Sequence, residues 1–111
     1  MFYRILRTET ITTEKAKTLA MAFAQEIGKI IPIEKVYLIG SAAGWSHMQE
    51  GSDIDLVVKG MSPGAWGQIA ALLSGKRTHL IDLRRYEECS EHLREKIDKK
   101  GLVLCEGGIY G

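Results

Sequence analysis

Between residues 13 and 31 the apolar side chains recur at spacings of three and four. Ala16, Leu19, Ala20, Phe23, Ile27, Ile30 and Ile31 fall on one side of a helix running from about Thr13 to Ile31. Thr12 or Thr13 offers a hydroxyl to its first amides, and Pro32 ends it. The period then changes. Lys35-Val-Tyr-Leu-Ile-Gly40 is a short β-branched and aromatic run closed by glycine and reads as a buried strand. After a polar stretch, Asp53-Ile-Asp-Leu-Val-Val-Lys59 alternates cleanly, which predicts a second strand. Ser62-Pro63 is a cap followed by a first-turn proline, so a helix is expected to about Ser74, with Gly75 as its stop. Thr78 to Arg84 reads as a third strand. Glu87, Glu88 and Glu91 lead a last helix and Lys99 and Lys100 close it, the charge order that suits the helix dipole. Cys89, Leu93 and Ile97 form its expected inner face, and Gly101 sits where a left-handed glycine commonly stops a helix. Leu102 to Cys105 fits a short edge strand, and residues 1–11 fit another. Strands separated by helices define an α/β or α+β domain.

Composition narrows the class. At 111 residues, without repeats or Pro/Gly/Ser linkers, the chain is expected to be a single domain over 1–111. A hydrophobic share of 45% supports one real core. Fifteen basic residues against fourteen acidic ones leave a net charge of +1, which disfavours a dedicated nucleic-acid binder. The longest apolar run, Leu19 to Ala24, is too short to span a bilayer, and the first ten residues carry no signal-peptide core. Two cysteines, Cys89 and Cys105, make no disulfide framework. The expectation is a cytoplasmic protein.

The chemistry concentrates in Gly40-Ser41, eleven further residues, and Asp53-Ile54-Asp55. A glycine and a serine where a strand ends let a phosphate approach the backbone and add a hydroxyl donor. Asp53 and Asp55 are two apart on a strand and so share a face. Crowded carboxylates repel, and a divalent cation removes that cost; oxygen-only ligands suit Mg²⁺ or Mn²⁺. Downstream, His79-Leu-Ile-Asp-Leu83 places Asp82 inside an apolar run. The intervening helix is long enough to bring that strand beside the second one. Three acids of this kind are ligands enough for two metals flanking a phosphoryl displacement.

GSAAGWSHMQEGSDIDL followed by LIDL resembles the minimal nucleotidyltransferase (MNT) domain family of the DNA polymerase beta superfamily. The likeness covers about residues 35–106, including the ending LREKIDKKGLVLCEG. It implies a small mixed β-sheet flanked by helices, and transfer of a nucleoside monophosphate, AMP from ATP, to an acceptor hydroxyl with release of pyrophosphate. It further implies that Gly40 and Ser41 hold the triphosphate, that Asp53 and Asp55 bind both metals, and that Asp82 binds the metal nearer the nucleophile. Stand-alone domains of the family pair with a small helical HEPN protein as antitoxin to toxin. The acceptor would accordingly come from such a partner or from a second copy.

One departure stands out. The family often reads Gly-Ser-x-Ala-Arg-Gly, whereas this chain has Gly44 and Trp45 at the last two places. A cation is therefore missing near the phosphates, and Lys59, Arg84 and Arg85 are the candidates to replace it. The departure keeps a second function open: a non-catalytic module that binds a partner and retains the site as a vestige. Other readings are blander. Asp82 alone fits an ion pair with Arg84 or Arg85, and Cys89 with His92 lacks a second ligand pair for zinc. Trp45 fits either a base-stacking residue or a partner contact.

Overall fold

The computed structural model describes residues 13–45, 54–74 and 81–107. The strand expected within residues 1–11, Asp53, Gly75 and the start of the third strand at Thr78 lie outside the described residues.

Helix α1 spans Thr13–Ile30. Its inward stripe is Ala16, Ala20, Phe23, Ala24, Ile27 and Ile31, each no more than 2% exposed. Three alanines one turn apart let the helix axis approach the sheet closely. Leu19 and Ile30, expected on the same face, are 50% and 39% exposed. Both lie at one margin of the stripe, where the curvature of the helix carries them off the sheet.

The strands are β1 (Lys35–Ile39), β2 (Ile54–Lys59), β3 (Ile81–Arg85) and β4 (Leu102–Glu106), arranged in the order β3-β2-β1-β4. β1 pairs antiparallel with both β2 and β4, while β2 and β3 run parallel. That one parallel pair follows from the connection between them. It contains helix α2 (Trp66–Ser74), and a crossover of this length returns the chain in its original direction. The fold is thus α+β with a small mixed sheet, as expected.

Alternation along β2 sorts its residues to two cores. Ile54, Leu56 and Val58 are fully buried beneath α1, together with Val36 and Leu38 of β1. Val57 faces the other way and packs with Tyr37, Ile39 and Ile97, the last from helix α3 (Glu91–Lys100). Each fully buried aliphatic side chain contributes about 1.5–3 kcal/mol. In β4 the register shifts opposite Val36 and Tyr37, so that Leu104 and Cys105 both reach the α1 core.

Several local expectations need correction. Ser62 is extended and its side chain caps nothing. The segment opens with a 3-10 turn at Pro63–Ala65, where the proline ring presets the backbone. Ser90 is the side-chain cap of α3, its hydroxyl accepting from the Leu93 amide at 3.1 Å. Cys89 precedes that helix and still packs against the second core beside Leu93. Gly101 is extended, with φ −67° and ψ 142°, and is not left-handed. Glycine is required there by crowding: a Cβ would lie 2.7 Å from the Ile97 carbonyl oxygen and 3.1 Å from Cδ1 of Tyr37. Among the described residues no helix is long and apolar enough to cross a membrane.

Candidate active site

The site forms where β1 ends and β2 and β3 begin. Ile39 pairs with Asp55 across the antiparallel ladder, which places the next residue, Gly40, directly against the acid. Gly40 has φ +75°, and a Cβ built on it would lie 2.7 Å from Asp55 Oδ2. The left-handed backbone favours glycine, and the missing side chain lets the carboxylate lie against it undisturbed. Gly40 opens the 3-10 turn Gly40–Ala43, with Ser41 half-buried as its second residue and Ala42 packed into the α1 core. The turn is closed by Gly44, whose amide donates to the Ser41 carbonyl at 3.0 Å, and by Trp45, whose amide donates to the Gly40 carbonyl at 3.1 Å.

Asp82 stands beside Asp55. The two are register partners in the parallel β2–β3 ladder. Their neighbours Ile54, Leu56, Ile81 and Leu83 all pack into the α1 core, so both acids project from the opposite face. Both are half-buried. An Arg84 ion pair also forms, as the sequence allowed: Nε and Nη2 both donate to Asp82 Oδ2 at 3.2 Å. The spacing of two on a strand makes the pairing natural, since acid and base share a face. Asp82 thus has two neighbours of opposite meaning, a carboxylate across the ladder and a guanidinium along it.

The donor set is chemically apt for a hard divalent cation. Asp55 and Asp82 present carboxylate oxygens from adjacent strands, and Asp53, two residues before Asp55, is expected to add a third. Asp53 lies outside the described residues, and among those described no three His, Cys, Asp or Glu side chains gather into a metal-binding group.

The other candidates separate by position. Lys59 lies at the far end of β2, 3.5 Å from Glu34 and 4.7 Å from the Tyr86 ring centre. Arg85 points to the opposite face, where its Nε donates to the Met61 carbonyl and its guanidinium meets Glu88 at 2.7 Å. Trp45, expected to meet a base or a partner, is docked on α3. Its Nε1 donates to the Lys100 carbonyl at 3.2 Å, and Lys96 sits 4.5 Å above its ring. The Cys89 Sγ donates to the Arg85 carbonyl, and burial pushes its thiol pKa up, against any nucleophilic role. A cavity of about 350 Å³ opens beside Arg84, bounded by Trp66, Leu83, Cys89, Ser90 and Leu93. The sequence allows Arg84 or Arg85 as the partner of Asp82; strand periodicity is the signal that separates them, since only Arg84 is two residues on and shares the face.

Comparison with known proteins bears on the fold. No family model matches the sequence, and no curated protein matches it. Solved structures do match. A chain from a toxin–antitoxin complex with AMP-PNP superposes with a TM-score of 0.56 at 22% identity, over 81% of this chain and 73% of that one. A chain from the MntA–HepT toxin–antitoxin complex superposes with a TM-score of 0.53 at 19% identity, over 84% and 72% of the two chains. A third, from the Shewanella oneidensis complex of MNT antitoxin with tri-AMPylated HEPN toxin, gives 0.54 at 18%, over 86% and 73%. The chain has the fold of these MNT-type toxin–antitoxin proteins, in agreement with the motif resemblance.

Proposed function

We propose that the protein is a metal-dependent nucleotidyltransferase that moves AMP from ATP to a hydroxyl of a HEPN-type partner protein, acting as an MNT antitoxin. The observation that carries this reading is the pairing of Asp55 with Asp82 on adjacent parallel strands, with Gly40 pressed against the Asp55 carboxylate. The shared fold supports it. One similar structure was solved with AMP-PNP, and another contains an AMPylated HEPN toxin.

In this reading Gly40 keeps the backbone free of side chain where the triphosphate approaches, and Ser41 adds a hydroxyl donor. Asp53, Asp55 and Asp82 would hold Mg²⁺ or Mn²⁺, which when bound supplies charge neutralisation and orientation of the phosphates. The acceptor oxygen bonds to the α-phosphorus as the bond to the β-phosphate bridging oxygen breaks. Pyrophosphate leaves, and the hydroxyl proton passes to Asp82 or to water. Catalysis is then chiefly positioning and electrostatics.

A second reading is favoured by two observations, Gly44 at the family's arginine position and Arg84 already engaged with Asp82. It makes the chain a partner-binding module that occludes a toxin without turnover. The deciding experiment incubates the protein with ATP labelled at its α-phosphate, Mg²⁺ and a HEPN protein encoded beside it. Metal-dependent label on the partner, abolished by Asp55→Ala, supports the transferase. Toxin inhibition that persists in an Asp55→Ala, Asp82→Ala double variant, without any label, supports occlusion.

A further inference from the structure

We propose that Arg84 is the cation of the nucleotide site, pairing with Asp82 while the site is empty and turning to the phosphates once metal and triphosphate occupy it. The inference rests on reading the Asp55–Asp82 rim as a nucleotide site and adds to it the residue that replaces the absent arginine of the turn.

The turn itself does not favour that arginine. The position belongs to Gly44, whose φ of +87° is a conformation that side-chain-bearing residues adopt at a cost. The missing charge must come from elsewhere. Lys59 is held between Glu34 and the Tyr86 ring at the opposite rim, and Arg85 is tied to Met61 and Glu88 on the opposite face. Lys59 shares the acids' face but stands at its other end, whereas Arg84 touches one of the acids directly.

The contact is built to be exchanged. Both guanidinium nitrogens converge on a single oxygen, Oδ2 of Asp82. The pair is open to water, with 51% of the arginine side chain and 43% of the aspartate exposed. Such pairs are weak, so a cation binding the carboxylates displaces the guanidinium readily. The freed guanidinium then presents a planar fork of donors that fits phosphate oxygens in pairs.

The two roles have opposite signs, and that makes the proposal testable without turnover. Binding of Mn²⁺ alone, and of AMP-PNP in the presence of saturating Mn²⁺, would be measured on the full chain, on Arg84→Gln, on Arg84→Lys and on Asp82→Asn. Circular dichroism melting would confirm that each variant is folded. Arg84→Gln is expected to bind Mn²⁺ alone about twofold to fivefold more tightly, since a competitor for Asp82 is gone. The same variant should bind AMP-PNP about tenfold more weakly, having lost a charge-assisted donor. Arg84→Lys should return Mn²⁺ affinity to near the starting value and recover part of the AMP-PNP affinity. If Arg84→Gln leaves both affinities unchanged, or moves them in the same direction, the role of Arg84 is overturned. Asp82→Asn separates that failure from a failure of the site: loss of Mn²⁺ binding in this variant keeps the nucleotide site standing. If Asp82→Asn changes nothing, or the starting protein binds neither probe, the site reading falls and the Arg84 proposal falls with it.

Discussion

The two faces of β2 have been put to different uses. Toward α1, Ile54, Leu56 and Val58 are all at 0% exposure within the apolar cluster beneath the helix. Toward α3, Asp55, Val57 and Lys59 follow one another, with only the middle residue buried in the second core. One face therefore carries stability, and the other confines its apolar contact to the centre and leaves a charged residue at each rim. The rims differ again: one gathers acids beside a glycine turn, the other a lysine against glutamate and tyrosine. A single strand can hold fold and chemistry together because its period of two keeps them on opposite sides.

The sharpest way to break this division is to truncate each face separately. Asp55→Ala or Asp82→Ala should lower nucleotidyl transfer by about 100-fold or more in a label-transfer assay, by removing charge stabilisation of the phosphates. Stability should barely move for Asp82→Ala, because the exposed pair with Arg84 is worth at most about 1 kcal/mol. Leu56→Ala should do the reverse, costing about 2–5 kcal/mol in urea denaturation, a large part of the stability of a domain this size. Comparable stability losses for both classes of variant would erase the distinction.

Gly40→Ala sharpens it at the boundary. A Cβ there meets the far end of the Asp55 side chain rather than backbone, so the carboxylate can yield. The expected cost is about 1–2 kcal/mol from the left-handed backbone, with a larger proportional loss in metal and nucleotide affinity because a ligand has been displaced. Gly44→Arg probes the neighbouring position, where nothing lies within 4 Å of a built Cβ. It should destabilise by about 1 kcal/mol through backbone strain alone, while raising AMP-PNP affinity, most visibly in an Arg84→Gln background.

The smallest effect belongs to the opposite rim and to pH. Tyr86 has its pKa raised by burial and further by Asp98, whose carboxylate accepts from its hydroxyl at 3.0 Å. Lys59 is also raised: burial pulls it down, but Glu34, Tyr37 and Tyr86 together outweigh that pull. Both folded pKa values stand above the unfolded ones, so this stabilisation is complete below about pH 10 and is lost as pH climbs through the folded values. Melting temperature should stay level into mild alkali and fall beyond about pH 10, and Tyr86→Phe should flatten that fall. An unchanged slope in the variant would remove Tyr86 from the account.

Much of this was legible in the chain because it depends on periodicity. The helix ending before Pro32 and the strands at Lys35, Ile54 and Leu102 follow from spacing and apolar content, which the tertiary fold did not override. The pairing of Asp55 with Asp82 was legible only in combination, since neither acid signals anything without the crossover between them. What escaped depends on contacts between residues far apart. Gly101 looks like an ordinary helix stop until Tyr37 and Ile97 are seen crowding it. Trp45 reads as a free aromatic until the end of α3 supplies a carbonyl to its indole. Cys89, three residues from His92, suggested a helical pair, but the chain enters α3 only after Ser90.

The parallel alignment of β2 and β3 has a geometric corollary. Asp82 and Arg84 sit symmetrically about Leu83, the midpoint of β3. Had a hairpin joined the two segments, reversing the third strand about its centre, the acid and the arginine would exchange places, a displacement of roughly 7 Å for each. Asp55 would then face a guanidinium across the ladder, and the two would pair with each other where two carboxylates now stand together. The polarity of one strand, with no change in composition, is what sets two carboxylates side by side at this edge of the molecule.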